Sequence, residues 1–278
     1  MKRRDFVFSA LAATAKADGA VRVGAMDGIL GKSIQPDALA VASRLGLEGV
    51  QVTIGRPDAD GKLPLSDHGL QDKFLQASKE QKIALTSTYL DVLHANCLKD
   101  EELAKKWVRE AIQINQRMKI RILMLVFFGK CALSGDAELD AVAAALRELS
   151  PEAERAGVVL GFENTVSADD NLRVLDAVKS KALQVFYDVG NSANMGGFDV
   201  PAEIRRLGKE RICQFHIKDK DFLGEGKVDV PACLSAIRDI SYKGWLILET
   251  GSPTKNVEAD TRRNIEYLRS QIRATKLG

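Results

Sequence analysis

Eight times along this 278-residue chain, a short run of β-branched or aromatic residues gives way to a longer amphipathic stretch. A strand followed by a helix cannot pair with the next strand through a tight turn, so the alternation dictates a parallel sheet with helical crossovers. The expected strands are 21–26, 49–53, 83–89, 121–127, 158–162, 183–187, 212–217 and 245–248. Helices are expected at 37–45, 70–81, 100–118, 137–156, 171–178, 201–207, 231–240 and 256–272. Eight such pairs within 21–278 match an α/β chain closed into a single (β/α)8 TIM barrel. An open doubly wound sheet is the competitor, but Gly24-Ala25-Met26-Asp27-Gly28 stands where its Gly-x-Gly-x-x-Gly phosphate loop would lie.

Local signals refine the helices. Pro201 and Pro231 suit first-turn positions, where a missing N–H costs nothing. Leu103, Trp107, Ala111 and Ile114 recur at helical spacing and read as the face that the third helix lays on the barrel. Ser150-Pro151-Glu152 resembles a helix start, which leaves room for two helices in the fourth stretch.

A hydrophobic content of 45% with 28% charged residues supports one large core. Forty Lys and Arg against 38 Asp and Glu leave a net charge of +2, so no field of one sign advertises nucleic acid or an anionic membrane. A small molecule is the expected partner, and a homo-oligomer is compatible with the sequence. No apolar run approaches the roughly 20 residues that span a bilayer. Cysteines 97, 131, 213 and 233 have no close pairing and read as buried thiols. Residues 1–20 are set apart from the fold: Arg3-Arg4-Asp5-Phe6-Val7 and the Ala13-x-Ala15 pattern resemble a degenerate twin-arginine export signal, with a solvated basic tail as the alternative. A cytoplasmic or a periplasmic location follows, according to whether that signal works.

Four acid or imidazole side chains stand at the downstream ends of successive apolar segments: Glu163, Asp188, His216 and Glu249. In a barrel the functional face lies at the C-terminal ends of the strands, and strands five to eight would deliver these groups to a common point. Each acid alone could be a rim salt bridge. Together they would repel one another, and a cation relieves that repulsion. Oxygen donors with one imidazole suit a single divalent ion, Mn²⁺, Mg²⁺ or Co²⁺, with Zn²⁺ also compatible.

Around this set, Lys218 lies on the same strand face as His216 and could contact substrate oxygens or neutralise the carboxylates. Asn191, just past the sixth strand, could bind a substrate hydroxyl or serve as a turn residue. His94, with Tyr89 and Asp91, is a candidate substrate wall, and Lys130 a candidate for an anionic group. Phe127, Phe128 and Trp245 read as packing, and Gly224-Glu225-Gly226-Lys227 as a flexible loop without the spacing of a Walker motif.

The segments Gly161-Phe162-Glu163-Asn164-Thr165, Tyr187-Asp188-Val189-Gly190-Asn191, Phe215-His216-Ile217-Lys218-Asp219, Gly224 to Asp229, and Gly244 to Glu249 resemble the sugar phosphate isomerase/epimerase family of xylose-isomerase-like barrels. The resemblance spans essentially everything from Val21 and carries no substrate identity. It implies one divalent metal, often Mn²⁺, on Glu163, Asp188, His216 and Glu249, with Glu163 and Glu249 also the proton-transfer pair. The ketose 3-epimerases of that family have a substrate-binding His shortly after the sixth-strand Asp, where this chain has Asn191. The expected chemistry is proton abstraction next to a carbonyl, through a metal-stabilised enediolate, giving epimerisation or isomerisation of a sugar. The alternative is a lyase or dehydratase acting on a 3-keto sugar, inosose or 3-keto glycoside with the same metal and glutamate pair.

Overall fold

The computed structural model describes residues 20–277, so the Arg-Arg segment lies outside the described residues. Eight parallel strands, β1 (Arg22–Met26), β2 (Gly49–Thr53), β3 (Ala84–Leu90), β4 (Ile122–Val126), β5 (Val159–Glu163), β6 (Leu183–Asp188), β7 (Ile212–Ile217) and β8 (Trp245–Leu248), close into a barrel in sequence order. Closure comes from β1 pairing with β8, where Arg22 aligns with Trp245 and its guanidinium stacks 4.0 Å over the indole ring. Gly49 is dictated by the same corner, because a Cβ there would meet the Trp245 ring at 2.8 Å.

The principal helices are α1 (Ala38–Arg44), α2 (His68–Gln81), α3 (Glu102–Met118), α4 (Gly135–Ala156), α5 (Ala168–Val178), α6 (Val200–Leu207), α7 (Val230–Asp239) and α8 (Val257–Ala274). Side chains start several of them: Asp67 accepts from Leu70 N at 2.6 Å, Ser167 from Asp170 N at 3.1 Å, and Asp199 and Asp229 cap α6 and α7 ahead of Pro201 and Pro231. Expected and observed elements agree to within a few residues.

Three local expectations are corrected. Helix α4 runs unbroken through Pro151, and Ser150 Oγ donates back to Leu146 O at 2.7 Å within the turn. The buried stripe of α3 follows Ala104, Trp107, Val108, Ala111 and Asn115, so Leu103 in the first turn stands off it, 46% exposed. Cys97 and Cys131 form a disulfide rather than two thiols, while Cys213 and Cys233 are free. That disulfide ties the turn after β3 (Asp91–His94) to the turn after β4 (Gly129–Cys131).

Inward side chains fill the barrel in layers. Trp245, Ile247 and Met26 pack together. Polar side chains join them, where Gln214 Nε2 donates to Ser87 Oγ at 3.0 Å, and on the outer face of β3 Thr88 Oγ1 donates to Asn115 of α3 at 2.6 Å.

Candidate metal centre

Period-two alternation brings the four candidate ligands together. Phe186 and Asp188 share one face of β6, Gln214 and His216 one face of β7, and Ile247 and Glu249 one face at the end of β8. Register then aligns Asp188 with His216 and His216 with Ile247. One ligating atom each from Glu163, Asp188, His216 and Glu249 lies within 4.8 Å of the others. Three of the four are buried, and the Glu249 side chain is 28% exposed toward the cavity.

His216 is the hub. Its Nδ1 is 3.0 Å from Glu163 Oε1, 3.0 Å from Glu249 Oε2 and 3.8 Å from Asp188 Oδ2. Its Nε2 lies 2.7 Å from Gln51 Oε1 on β2, and the Phe186 ring meets the imidazole edge-on at 4.6 Å. Gln51 faces inward by the alternation of β2, on the face of Gly49 and opposite to Val50 and Val52, while across from it β3 carries Thr86 as an extra residue so that Gln51 pairs with Ser87. The polar Gln51 between Val50 and Val52 is the sequence signal that could have marked it as an inward-facing residue.

The other groups are set by close backbone packing. Asn191 N donates to Asp188 Oδ1 at 2.7 Å, leaving Oδ2 turned inward. Lys218 Nζ stands 3.2 Å from Glu249 Oε2 and 3.7 Å from Asp188 Oδ2. Gly190 permits this approach, since a Cβ would lie 2.9 Å from the Lys218 chain.

Electrostatically the cluster is unbalanced. Burial, then the neighbouring Glu249, pushes Asp188 well above the usual carboxylate range, and burial raises Glu163. Burial also acts on His216 and Glu249, but here the charges facing each other prevail: Glu249 and Glu163 push the imidazolium up to about 10, while His216 and Lys218 hold Glu249 low. Asp188 Oδ2 is buried without a hydrogen-bond partner, its nearest cations being Lys218 Nζ at 3.7 Å and His216 Nδ1 at 3.8 Å, whereas Glu249 Oε2 is held by its ion pairs with His216 and Lys218. Three converging carboxylates, one with an orphaned oxygen, and one imidazole fit a divalent cation.

The cavity above the cluster has a volume of about 220 Å³. Tyr89 and His94 form one wall and hydrogen-bond each other at 2.7 Å. Burial raises the Tyr89 phenol and lowers the His94 imidazolium, so the two groups hydrogen-bond as a neutral pair. Asn191 and Lys218 also line the cavity. Phe128 does too, against its expected role as packing alone, together with Met195 from the Ser192–Gly196 turn. Lys130 does not line it: the turn pinned by Cys131 directs it outward, 64% exposed, with Glu101 at 3.9 Å.

Among the described residues, no helix is long and apolar enough to cross a membrane. A comparison with curated proteins returns no match. Among solved structures, L-ribulose 3-epimerase superposes with a TM-score of 0.77 at 16% identity, covering 92% of this chain and 96% of that one. D-allulose 3-epimerase from Methylomonas sp. gives 0.72 at 16% identity, over 91% and 98%. The E. coli 3-keto-D-glucoside 4-epimerase YcjR gives 0.70 at 16% identity, over 90% and 99%. At such identities the likeness is one of fold. The family model for the xylose isomerase-like TIM barrel matches residues 39–271, and with the closed eight-stranded barrel in place the chain belongs to that family.

Proposed function

We propose that the chain is a divalent-metal-dependent sugar isomerase or epimerase, with Glu163, Asp188, His216 and Glu249 as the ligands. The observation that carries this reading is the convergence of three carboxylates and His216 within 4.8 Å, with Asp188 Oδ2 buried and lacking a hydrogen bond, beside a sugar-sized cavity. Mn²⁺ is our first choice for these donors. When bound, the cation would polarise a substrate carbonyl and stabilise the negative charge that develops on its oxygen.

The protein's own groups would do the rest. Glu163 and Glu249 both line the cavity, so one carboxylate can take a proton from the carbon beside the carbonyl and the other can return one. Return from the opposite face of the same carbon inverts it, and return at the neighbouring carbon exchanges aldose and ketose. Lys218 would hold Glu249 in place and meet developing charge, Asn191 would orient a hydroxyl group, and His94, paired with Tyr89, would form the substrate wall. The structural relatives named as sugar epimerases support this choice of chemistry.

The test is solvent-deuterium exchange into a panel of ketoses by the metal-loaded protein. Glu163→Gln and Glu249→Gln should each abolish exchange, and exchange retained in both variants would overturn the roles. Product mass separates this reading from β-elimination, since isomers keep the substrate's mass and a lyase product loses water or an aglycone.

The setting of the reaction belongs to the same reading. A disulfide between Cys97 and Cys131 supports an oxidising compartment, consistent with export through the Arg3-Arg4 segment. Fractionation of the native host followed by thiol labelling checks it: the pair should resist alkylation until reduced.

A further inference from the structure

Three features of the cavity bear on which compound enters it. The first is a shortage of free cations. Lys218 is the one Lys or Arg among the described residues lining the cavity, and it is committed to Glu249 and Asp188. The nearby Arg56 is paired with Asp91 at 3.2 Å, and Lys130 faces Glu101.

The second concerns the loops after β7 and β8, where barrels of this class commonly cradle a phosphate with backbone N–H groups. Several of those donors are already taken. The Asp219 carboxylate accepts from Lys220 N at 2.9 Å and Gly226 N at 3.1 Å, and a Cβ at Gly226 would collide with it. The Asp260 carboxylate accepts from Thr254 N at 3.0 Å and from the Ser252 and Thr254 hydroxyls at 2.7 Å each. Both acids are buried, at 4% and 3% exposure, so negative charge is built in where a phosphate would need positive.

The third is the apolar character of the rest of the lining. Met26, Met124, Val126, Phe128 and Met195 supply it, and the polar tips of Tyr89 and His94 satisfy each other. Met195 is 61% exposed yet lines the cavity, three residues past the start of the Ser192–Gly196 turn that follows Asp188. A hydroxyl pressed against this wall loses its water and gains no partner, whereas a methyl group gains contact. At about 220 Å³ the cavity is smaller than the roughly 300–1,000 Å³ of drug-sized sites.

We infer that the part of the cavity under Met195 and Phe128 is a subsite for a small apolar substituent, and that the substrate is an unphosphorylated hydroxycarbonyl sugar with a deoxy terminus. This rests on the proposed carbonyl chemistry of the same site.

Isothermal titration of the Mn²⁺-loaded protein would use D-fructose, its 1-deoxy and 6-deoxy analogues, and its 1- and 6-phosphates. One deoxy analogue should bind at least about tenfold more tightly than fructose, the scale of one such group in an apolar pocket, and neither phosphate should bind measurably. Met195→Gln should cut that preference to less than half, which a merely structural residue would not do. Fructose binding as tightly as both deoxy analogues, either phosphate binding tightest, or no ligand binding at millimolar concentration would each overturn the inference. Deuterium exchange with the same compounds reports separately: the expected order of affinity without exchange upholds the subsite and removes the isomerase reading, and exchange with the order reversed does the opposite.

Discussion

Gln51 Oε1 and His216 Nε2 sit 2.7 Å apart across the barrel floor, joining residues 165 positions apart in sequence. The amide oxygen can only accept, so Nε2 carries the proton and Nδ1 is the nitrogen presented to the carboxylates. On the other side of the amide, Gln51 Nε2 approaches Met124 Sδ at 3.4 Å, which fixes its orientation. Gln51→Leu should therefore weaken Mn²⁺ binding by about 10- to 100-fold, the usual cost of losing such a partner. Titration calorimetry checks this, and unchanged affinity in a folded variant would remove the role.

Stripping the metal should make stability depend on pH in a defined direction. His216 in the metal-free fold has its pKa raised to about 10, above its ordinary value of 6.5, so its contribution is fully present below about pH 6.5 and is lost as pH rises through about 10. Asp188 and Glu163 are raised as well, so the folded state holds more protons than the unfolded chain and stability again falls with rising pH. Thermal melts of EDTA-treated protein should decline between pH 7 and 10, and Mn²⁺ should restore most stability at the alkaline end. A flat profile in the stripped protein would contradict the charge balance described above.

Removing the cation of Lys218 should separate metal binding from turnover. Its Nζ stands 3.2 Å from Glu249, close enough to compete electrostatically with a bound ion. Lys218→Met should leave Mn²⁺ affinity equal or higher, while kcat falls about 100-fold through loss of a group that meets developing charge. Loss of metal binding in this variant would assign Lys218 a structural role instead.

Breaking the Cys97–Cys131 link frees two cavity turns at once. With a sequence separation of 34, the chain-entropy contribution is about 3–4 kcal/mol. The Cys97→Ser, Cys131→Ser double variant should melt about 6–15 °C lower. Because His94 and Phe128 ride on the two turns, KM should rise more than kcat falls, with Mn²⁺ affinity retained. Steady-state kinetics and calorimetry on the same preparation distinguish this from global loss of fold.

The barrel was legible because its signals are local and repeated: β-branched runs, amphipathic stretches, and prolines at helix starts. The four clustered residues were legible for a related reason. Glu163, Asp188 and Glu249 each close an apolar run, and His216 interrupts one. Groups that owe their place to long-range geometry were not legible. Gln51 owes its role to His216, 165 positions away across the barrel, and the disulfide depends on two turns meeting above the barrel. Lys130 is turned outward by that disulfide, and Leu103 misses the core by one position on the helix face. Pro151 looked like a boundary because proline removes one donor, yet the surrounding turns of α4 continue through it.

The proposed ligands all arise from β5 to β8, with Glu249 immediately after the last strand, while the residue that aims His216 comes from β2. Chains emerge from the ribosome N-terminus first. A nascent chain therefore shows its strands in turn for most of synthesis without a complete ligand set, and only the arrival of residue 249 brings the four together. On the proposed metal reading, loading would act as a completeness check: a product truncated before β8 keeps three charged or titratable groups with no fourth to finish the cage.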